Sequence, residues 1–287
     1  MPELPEVESV RRGLVRARLR AKVTELWRSR SPLRIGAAWR EERLDCLVGA
    51  TPGAVERRGK YIVWHFRGDD DAHELGLVVH LGMSGRFGLA RRDRPQAPHT
   101  HFILRFDDDR EVRLVDPRRF GGLRAGRLAD LRRSSPLDEL GPEPLSAAFD
   151  GRVLEERARA STRALRDVLL DQHVVAGVGN IYAVEALHLA GLHPLLPAAR
   201  LRSSAWDRLA SAVQSVLRHA IDNGGTTLRD FRDVSGRSGR HQDELRVYGR
   251  AGEACPGCGT VLRGFVHGGR SGVFCPREQA RPRGRVA

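Results

Sequence analysis

Short apolar runs separated by turn-forming residues recur through residues 1–130, a pattern typical of β-strands. One run covers residues 77–81. Residues 101–106 and 111–115 flank an acidic turn at 107–110, and this arrangement predicts a β-hairpin. Several short antiparallel strands in this order indicate a β-sandwich.

The first residues of the chain have a helical pattern instead. Val7, Val10 and Leu14 recur on one face of a helix, and a proline stands in its first turn. We expect this helix to pack against the sandwich through that apolar face.

The pattern changes after the predicted strands. Residues 131–160 contain serine, glycine and proline clusters, which indicate a connection between domains. From about residue 161 the periodicity becomes helical. Asn180 caps a predicted helix that ends at Gly191, and a further helix runs from Trp206 to a pair of glycines.

The predicted fold is therefore α+β, with an N-terminal β-sandwich, flanking helices, a helical domain and a C-terminal hairpin. We predict a sandwich domain at 1–130, a linker at 131–160, a helical domain at 161–240, a hairpin at 245–280 and a basic tail at 281–287.

Charge narrows the choice of partner. The chain has 287 residues, a net charge of +13 and a pI near 10.9, which favour a polyanion such as nucleic acid. Neither a bilayer-spanning apolar run nor a signal-peptide pattern is present, so the expected location is cytoplasmic and nucleoid-associated, without a membrane partner.

The N-terminus offers covalent chemistry. Methionine before a small residue is normally removed, and this leaves Pro2 with a free secondary amine beside the Glu3 carboxylate. Such an amine is partly unprotonated at neutral pH and can form an iminium with a sugar aldehyde carbon. The alternative interpretation is an ordinary helix start, and both can hold together.

Lysine is nearly absent from the chain. Only Lys22 and Lys60 are lysines among 49 basic residues. A lysine that persists in an arginine-rich chain favours a role that needs a compact ammonium able to release its proton. Lys60 stands in a turn before the strand-like residues 61–66, and a solvated turn charge is the alternative.

Two other turns present candidate nucleic-acid contacts. The glycine turn before Asn180 exposes backbone N–H groups at a helix start, which suits a phosphate as well as it suits an ordinary cap. Met83 and the run Arg118-Arg119-Phe120 follow strands beside glycines, where they can wedge a base step. Core packing of Met83 and Phe120 is the alternative.

Three cysteines near the C-terminus indicate a metal site. Cys255 and Cys258 form one knuckle, and Cys275 begins a second in which Glu278 takes the position of the fourth thiolate. Three thiolates and a carboxylate can bind zinc, His267 is a remote further ligand, and folding without metal is equally consistent. Arg270 lies near the expected hairpin tip, where it can grip a phosphate.

These motifs together resemble the formamidopyrimidine-DNA glycosylase family over essentially the whole chain. The resemblance rests on Met1-Pro2-Glu3-Leu4-Pro5-Glu6-Val7-Glu8, Gly59-Lys60-Tyr61, His80-Leu81-Gly82-Met83-Ser84-Gly85, Asp116-Pro117-Arg118-Arg119-Phe120-Gly121, Asp171-Gln172 through Asn180-Ile181-Tyr182, and the terminal finger. The leucine at position 4 is similar to the residue found in this branch of the family rather than in the endonuclease VIII branch.

The resemblance implies a β-sandwich, a helix–two-turn–helix domain and a zinc-finger hairpin. It also implies a bifunctional DNA glycosylase/AP lyase of base excision repair. Pro2 attacks the anomeric carbon of the sugar of a flipped damaged nucleotide, Glu3 protonates the opening ring, and β- and δ-elimination follow.

The same resemblance implies roles for further residues. Lys60 and Arg270 join Pro2 and Glu3 in the catalytic set, with phosphate contacts. The implied DNA-binding residues are Met83, His99, Arg118, Arg119, Phe120 and Asn180. One zinc ion is implied at Cys255, Cys258 and Cys275.

Some residues depart from the family pattern. Glu278 replaces the fourth cysteine, Gly272 replaces a usual threonine, and Arg166 replaces a common lysine. Residues 238–241 differ in the loop that covers the oxidised base. We expect oxidised purines, formamidopyrimidine and 8-oxoguanine, to remain the substrates.

The expected partner is double-stranded DNA with oxidised bases or abasic sites, bound by a monomer. Three alternatives stay open. One is an endonuclease VIII-like enzyme for oxidised pyrimidines, another is a non-catalytic damaged-DNA-binding protein, and the third is an RNA-binding zinc-ribbon protein.

Overall fold

The computed structural model describes residues 2–31, 33, 44–68, 74–228 and 231–281. Within them the backbone forms two compact units. The first contains Met1–Glu139 and Asn223–Gln242, and the second contains Leu140–Asp222 and Asp243–Ala287.

The first unit contains eight strands and two α-helices among its described residues. In chain order they are α1 (Leu4–Ala17), β1 (Val23–Arg28), β2 (Thr51–Arg58), β3 (Tyr61–Arg67), β4 (Glu74–His80), β5 (Arg86–Arg91), β6 (Thr100–Phe106), β7 (Arg110–Val115), β8 (Gly122–Arg127) and α2 (Leu128–Arg132).

The strands form two antiparallel four-stranded sheets, ordered β1-β6-β7-β5 and β2-β3-β4-β8. Trp64 of the second sheet packs edge-on against Phe87 of the first, with ring centroids 6.4 Å apart. Phe102 and Phe106 are buried in the same core. The predicted sandwich and the hairpin of β6 and β7 are therefore confirmed.

Helix α1 covers one end of this core. Val7, Val10 and Leu14 are each at most 2% exposed, as the helical pattern predicted. The helix packs against β2 and β3, and its burial of apolar side chains stabilises the position of the N-terminus.

The segment 223–242 returns to the first unit. The sequence prediction placed residues 223–240 in the helical domain at 161–240, whereas the structure groups the segment with the sandwich in the first compact unit. Val234 explains part of this, because it is buried in the sandwich core and its carbonyl accepts the Leu89 N–H at 3.0 Å.

The second unit holds the remaining helices and a hairpin. Its elements are α3 (Gly151–Ala158), α4 (Leu165–Leu170), α5 (Asn180–Leu189), α6 (Ser203–Asp222), β9 (Arg263–His267) and β10 (Arg270–Phe274). Helix α6 buries Trp206, Leu209, Val213 and Leu217 on one face, as predicted. The residues predicted as a linker, 131–160, include helix α3, whose N-cap Asp150 accepts the Val153 N–H.

Helix α5 contacts several other parts of the second unit. The Glu185 carboxylate accepts backbone N–H bonds from Arg246, Val247 and Tyr248 at 2.9, 2.9 and 2.7 Å. Strands β9 and β10 follow these residues as an antiparallel pair, and β10 contacts α5. No helix in the described part of the chain is both long and apolar enough to span a membrane.

Candidate active site and metal centre

The N-terminal pair lies at the start of helix α1. Pro2 and Glu3 are both buried, and Glu3 is the N-cap residue. Its backbone N–H donates to Glu6 Oε2 at 2.7 Å. Pro2 and Glu3 therefore form the start of a helix, and the catalytic interpretation concerns the same buried residues.

Glu6 also reaches the returning segment of the same unit. Its Oε1 accepts the Thr226 N–H at 2.7 Å, and the side chain is 1% exposed. Gly225 has a φ of +84°, and a Cβ there would lie 2.9 Å from Glu6 Oε1. Glycine at this position lets the loop backbone approach the carboxylate.

Lys60 lies half-buried in the turn between β2 and β3. Gly59 enters this turn with a φ of +55°, and the Gly59 carbonyl accepts a bond from Arg57 Nη1 at 3.0 Å. Tyr61 pairs with His80 of β4, and their ring centroids are 4.7 Å apart. The lysine turn is thereby held next to the end of β4.

His80 stays uncharged in this position. Burial and, to a smaller extent, the nearby Lys60 charge lower the pKa of His80 to about 4, and Asp116 opposes the shift. The ring nitrogen Nδ1 accepts the Gly82 N–H at 3.1 Å, a bond that the neutral ring can make. His80 therefore connects the lysine turn to the loop that carries Met83 without adding charge.

Asp116 holds the two candidate wedge loops together. Its Oδ1 accepts bonds from the Ser84 hydroxyl at 2.6 Å and from the Arg118 N–H at 3.3 Å. Its Oδ2 accepts the Gly121 N–H at 2.7 Å. This fully buried carboxylate fixes the loop of Met83 against the loop of residues 117–121.

The predicted wedge residues lie on these two loops. Met83 is 39% exposed, which excludes core packing for its side chain. The Arg118 guanidinium lies 4.9 Å from the centroid of the half-buried Phe120 ring. Arg119 and His99 both have a positive φ, of 58° and 63°, and His99 is exposed.

In the second unit, Gln172 shapes the glycine turn. Its Oε1 accepts the Gly177 N–H and its Nε2 donates to the Val178 carbonyl, both at 2.9 Å. Gly179, rather than Asn180, is the N-cap of α5, so the predicted cap was wrong by one residue. The Asn180 side chain instead donates to the Ser271 carbonyl at 2.9 Å, because α5 begins beside β10.

Arg270 begins β10 and is exposed. The buried Arg166 side chain supports it from behind, donating to the Arg270 and His267 carbonyls at 3.1 and 2.9 Å. Phe265 lies over Gly272, where a Cβ would overlap the ring, so the packing favours glycine at this position.

The three cysteines converge with Glu278. One ligand atom from each of the four residues lies within 4.8 Å of all the others. Cys258 Sγ and Cys275 Sγ are 3.4 Å apart. Burial raises the pKa of the Cys255 thiol to about 11. His267, the remote alternative ligand, pairs with Asp167 at 2.8 Å and is outside the cluster.

The donor set fits a metal ion that takes sulfur and oxygen ligands. Tetrahedral zinc with bonds of about 2.3 Å places its sulfur ligands about 3.8 Å apart, close to the 3.4 Å between Cys258 Sγ and Cys275 Sγ. Glu278 is longer than a cysteine, and the knuckle makes room for it at Gly257, where a Cβ would overlap the carboxylate. Cys255, Cys258, Cys275 and Glu278 are therefore the residues that can hold a metal.

Several residues of the site were not singled out from the sequence. His80 and Asp116 fall inside quoted motifs, and the signal for Asp116 was an acid directly after an apolar strand. His188 had no local signal, because it stands on the largely apolar helix α5, distant in sequence from the cysteines. Its Nε2 lies 2.9 Å from Glu278 Oε2 and 3.5 Å from Cys255 Sγ.

Comparison with known proteins agrees with the fold. The family model of the formamidopyrimidine-DNA glycosylase N-terminal domain matches residues 1–123, and that of the formamidopyrimidine-DNA glycosylase H2TH domain matches residues 140–232. A formamidopyrimidine-DNA glycosylase of Syntrophotalea carbinolica is 42% identical, and the match covers 97% of this chain and all of the relative.

Solved structures of this family are also similar to the chain in fold and sequence. The crystal structure of the MutM (Fpg) protein from Thermus thermophilus has a TM-score of 0.85 at 39% identity and covers 98% of this chain and all of that one. The Lactococcus lactis Fpg in complex with DNA containing an abasic site has a TM-score of 0.87 at 34% identity, with 97% of this chain and 100% of that chain covered. With both family models matched and relatives above 40% identity along nearly its whole length, the chain belongs to the formamidopyrimidine-DNA glycosylase family.

Proposed function

We propose that this chain is a bifunctional DNA glycosylase/AP lyase of base excision repair that removes oxidised purines. The observation that carries the proposal is the place of Pro2 and Glu3, an amine-bearing residue and an acid side by side at the buried start of α1. Family membership over nearly the whole chain supports it.

Once Met1 is removed, the Pro2 nitrogen lone pair forms a bond to C1′ of the damaged nucleotide. The bond from C1′ to the base breaks, and the base leaves with the electron pair and takes up the proton that the Pro2 nitrogen releases. Glu3 then protonates O4′ as the C1′–O4′ bond opens, which leaves an iminium between Pro2 and C1′.

The iminium acts as an electron sink for strand cleavage. Loss of a C2′ proton converts the iminium to an enamine, whose electrons then form the C2′=C3′ bond and restore the iminium as the C3′–O bond breaks and the 3′ phosphate leaves. Loss of a C4′ proton into the conjugated iminium drives a second elimination, in which the C5′–O bond breaks and the 5′ phosphate leaves. Lys60, half-buried in its turn, is the proposed phosphate contact and proton donor for these steps.

Arg270 and Asn180 are the proposed phosphate ligands of the second unit. Arg270 is exposed, and Arg166 supports its backbone. Asn180 lies at the start of α5, where backbone N–H groups favour an anion, and one of its two amide hydrogens is used by Ser271.

Met83, Arg118 and Phe120 are proposed to fill the gap left by the extruded nucleotide, with Arg118 facing the orphaned base. The exposed Met83 and the stacked Arg118–Phe120 pair offer the apolar and planar surfaces that such a wedge needs. Asp116 holds both loops in one arrangement. Arg119 and His99 are proposed as further DNA contacts.

The proposed partner is double-stranded DNA with oxidised bases or abasic sites, bound by a monomer in the cytoplasm, at the nucleoid. The net charge of +13 favours a phosphate backbone and makes binding salt-dependent. The similar Fpg of Lactococcus lactis is seen with abasic-site DNA.

Lesion preference is the part of the proposal with a rival. Residues 238–241 differ from the family pattern, although the loop is held by a bond from the Gly239 N–H to Thr227 Oγ1 at 2.9 Å. Cleavage of duplexes with one 8-oxoguanine, formamidopyrimidine or oxidised pyrimidine decides between an oxidised-purine enzyme and an endonuclease VIII-like enzyme. Faster cleavage of the oxidised pyrimidine contradicts the purine proposal.

We further propose that the cluster of Cys255, Cys258, Cys275 and Glu278 holds one zinc ion. The spacing of the sulfur atoms and the room at Gly257 support this ligand set. Zinc here has a structural role in the finger hairpin and takes no part in the covalent chemistry of Pro2.

Borohydride trapping tests the covalent mechanism. Mixed with abasic-site duplex and borohydride, the full chain should become linked to DNA, with the attachment mapped to Pro2 by peptide mass spectrometry. Pro2→Glu should abolish trapping, since the larger residue keeps Met1 in place, whereas Glu156→Gln on exposed α3 should trap normally. Attachment at another residue, or undiminished trapping by Pro2→Glu, contradicts the proposal.

A further inference from the structure

The metal cluster has a neighbour that its four candidate ligands do not explain. His188 lies on α5, distant in sequence from the knuckles, and its side chain is 2% exposed. Its Nε2 is 2.9 Å from Glu278 Oε2. Its Nδ1 is buried and has no hydrogen-bond partner among the described residues.

These contacts determine how the ring is used. A neutral histidine has one N–H, and that N–H forms a bond only if it is on Nε2, aimed at the Glu278 carboxylate. The same nitrogen is 3.5 Å from Cys255 Sγ, so the ring stands at the edge of the cluster. His188 is not among the four residues whose ligand atoms all lie within 4.8 Å of one another, so it contacts the cluster from outside this group.

We propose that His188 is a positioning residue that makes Glu278 an effective fourth metal ligand. This rests on the proposed metal site at the cysteines. Nε2–H holds Oε2 of Glu278, the carboxylate oxygen that also lies 3.4 Å from Cys255 Sγ, and Oε1 lies beside Gly257, so the histidine fixes the orientation of the carboxylate at the cluster. A carboxylate has more rotatable bonds than a thiolate, so a buried donor that fixes its orientation lowers the entropic cost of ligation.

Glu278, oriented by His188, therefore takes the place of a fourth thiolate ligand. Helix α5 supplies the partner because it runs beneath the finger, where Val184 packs in one apolar cluster with Cys255 and Cys275. The glycine at 257 accommodates the longer acid, and the histidine orients it.

Metal affinity of the purified full chain tests this with four proteins. They are the wild type, His188→Leu, Glu278→Cys and the double variant. Zinc content by mass spectrometry and competition with a chromophoric chelator give the affinity, and the thermal midpoint reports folding. The wild type should hold about one zinc, and His188→Leu should bind about 10- to 100-fold more weakly, the usual loss for an outer-shell partner.

The cysteine background isolates the positioning role. Once position 278 carries a thiolate, His188 has no carboxylate to orient, so the double variant should bind zinc nearly as well as Glu278→Cys. An equal loss from His188→Leu in both backgrounds means that the histidine only supports packing, and it overturns the proposal. No effect of His188→Leu in either background overturns it too.

Cobalt substitution separates a positioning residue from a ligand. At saturating Co²⁺, His188→Leu should keep the wild-type thiolate-to-metal absorption and ligand-field bands, and Glu278→Cys should raise the thiolate absorption. A changed ligand-field spectrum in His188→Leu makes the ring itself a ligand and overturns the proposal. A wild type without metal overturns the metal site as well, while borohydride trapping at Pro2 still tests the catalytic proposal separately.

Discussion

The Glu6 carboxylate joins Thr226 to the start of helix α1. One oxygen accepts the Thr226 N–H and the other accepts the Glu3 N–H, both at 2.7 Å. These two backbone groups are far apart in sequence, yet they share one side chain that is 1% exposed. The loop that begins at Gly225 and the proposed nucleophile beside Glu3 are therefore held by the same buried acid.

Glu6→Gln should lower the free energy of unfolding by about 1–3 kcal/mol, because an amide presents a donor where a second acceptor is needed. Urea unfolding measures the loss. The exposed Glu156, which pairs with Arg152, is a matched control, and its change to Gln should cost less than about 0.5 kcal/mol. Equal losses at the two positions would show that Glu6 does not bridge these groups in solution.

Asp116→Asn should loosen the two wedge loops. In the variant an amide nitrogen replaces one carboxylate oxygen, and this nitrogen is a donor. In one orientation it faces the Gly121 N–H, and in the other it faces the Ser84 hydroxyl and the Arg118 N–H. We expect a loss of about 1–3 kcal/mol in stability, together with slower base excision, since Met83 and Arg118 lose their fixed positions. Asp130→Asn, on the exposed side of α2, should leave both unchanged. Normal excision by Asp116→Asn argues against a positioning role.

Stability should fall in mild acid because of His80. Its pKa is lowered from 6.5 to about 4 in the folded chain, so between these values the unfolded state binds the extra proton. Unfolding free energy is therefore lost as pH falls from about 6.5 toward 4, by at most about 3 kcal/mol for this residue. His80→Gln removes this part of the slope, and unfolding titrations of both proteins across that range measure the difference. Parallel pH profiles would contradict the assignment.

Arg166→Lys should weaken the support of the finger hairpin. A guanidinium donates to the Arg270 and His267 carbonyls at once, whereas an ammonium on a shorter, differently shaped side chain cannot reproduce the planar fork. We expect faster amide hydrogen exchange in β9 and β10, and weaker DNA binding through Arg270. Arg152→Lys on exposed α3 is the control. Unchanged exchange in the hairpin would show that Arg166 does not hold it.

The sequence predicted the local elements well where one face of an element is apolar. The faces of α1 and α6 and the hairpin of β6 and β7 follow from periodicity, because burial selects the same spacing that the helix or strand imposes. The cap of α5 was misplaced by one residue, since Asn180 uses its side chain on Ser271 and not on its own helix. Residues 223–240 were predicted to belong to the helical domain, because no motif or periodicity in this part of the sequence indicates that it packs on the sandwich.

By itself the sequence determined the chemistry that contiguous motifs carry: an amine beside an acid at the N-terminus, a rare lysine in a turn, and three thiolates at knuckle spacing. Only the tertiary structure decided which residues support them. Glu6 with Thr226, Asp116 with Ser84, and His188 with Glu278 are pairs that are distant in sequence. A buried polar group must find a partner wherever the fold places one, and that partner leaves no periodic or local trace in the chain.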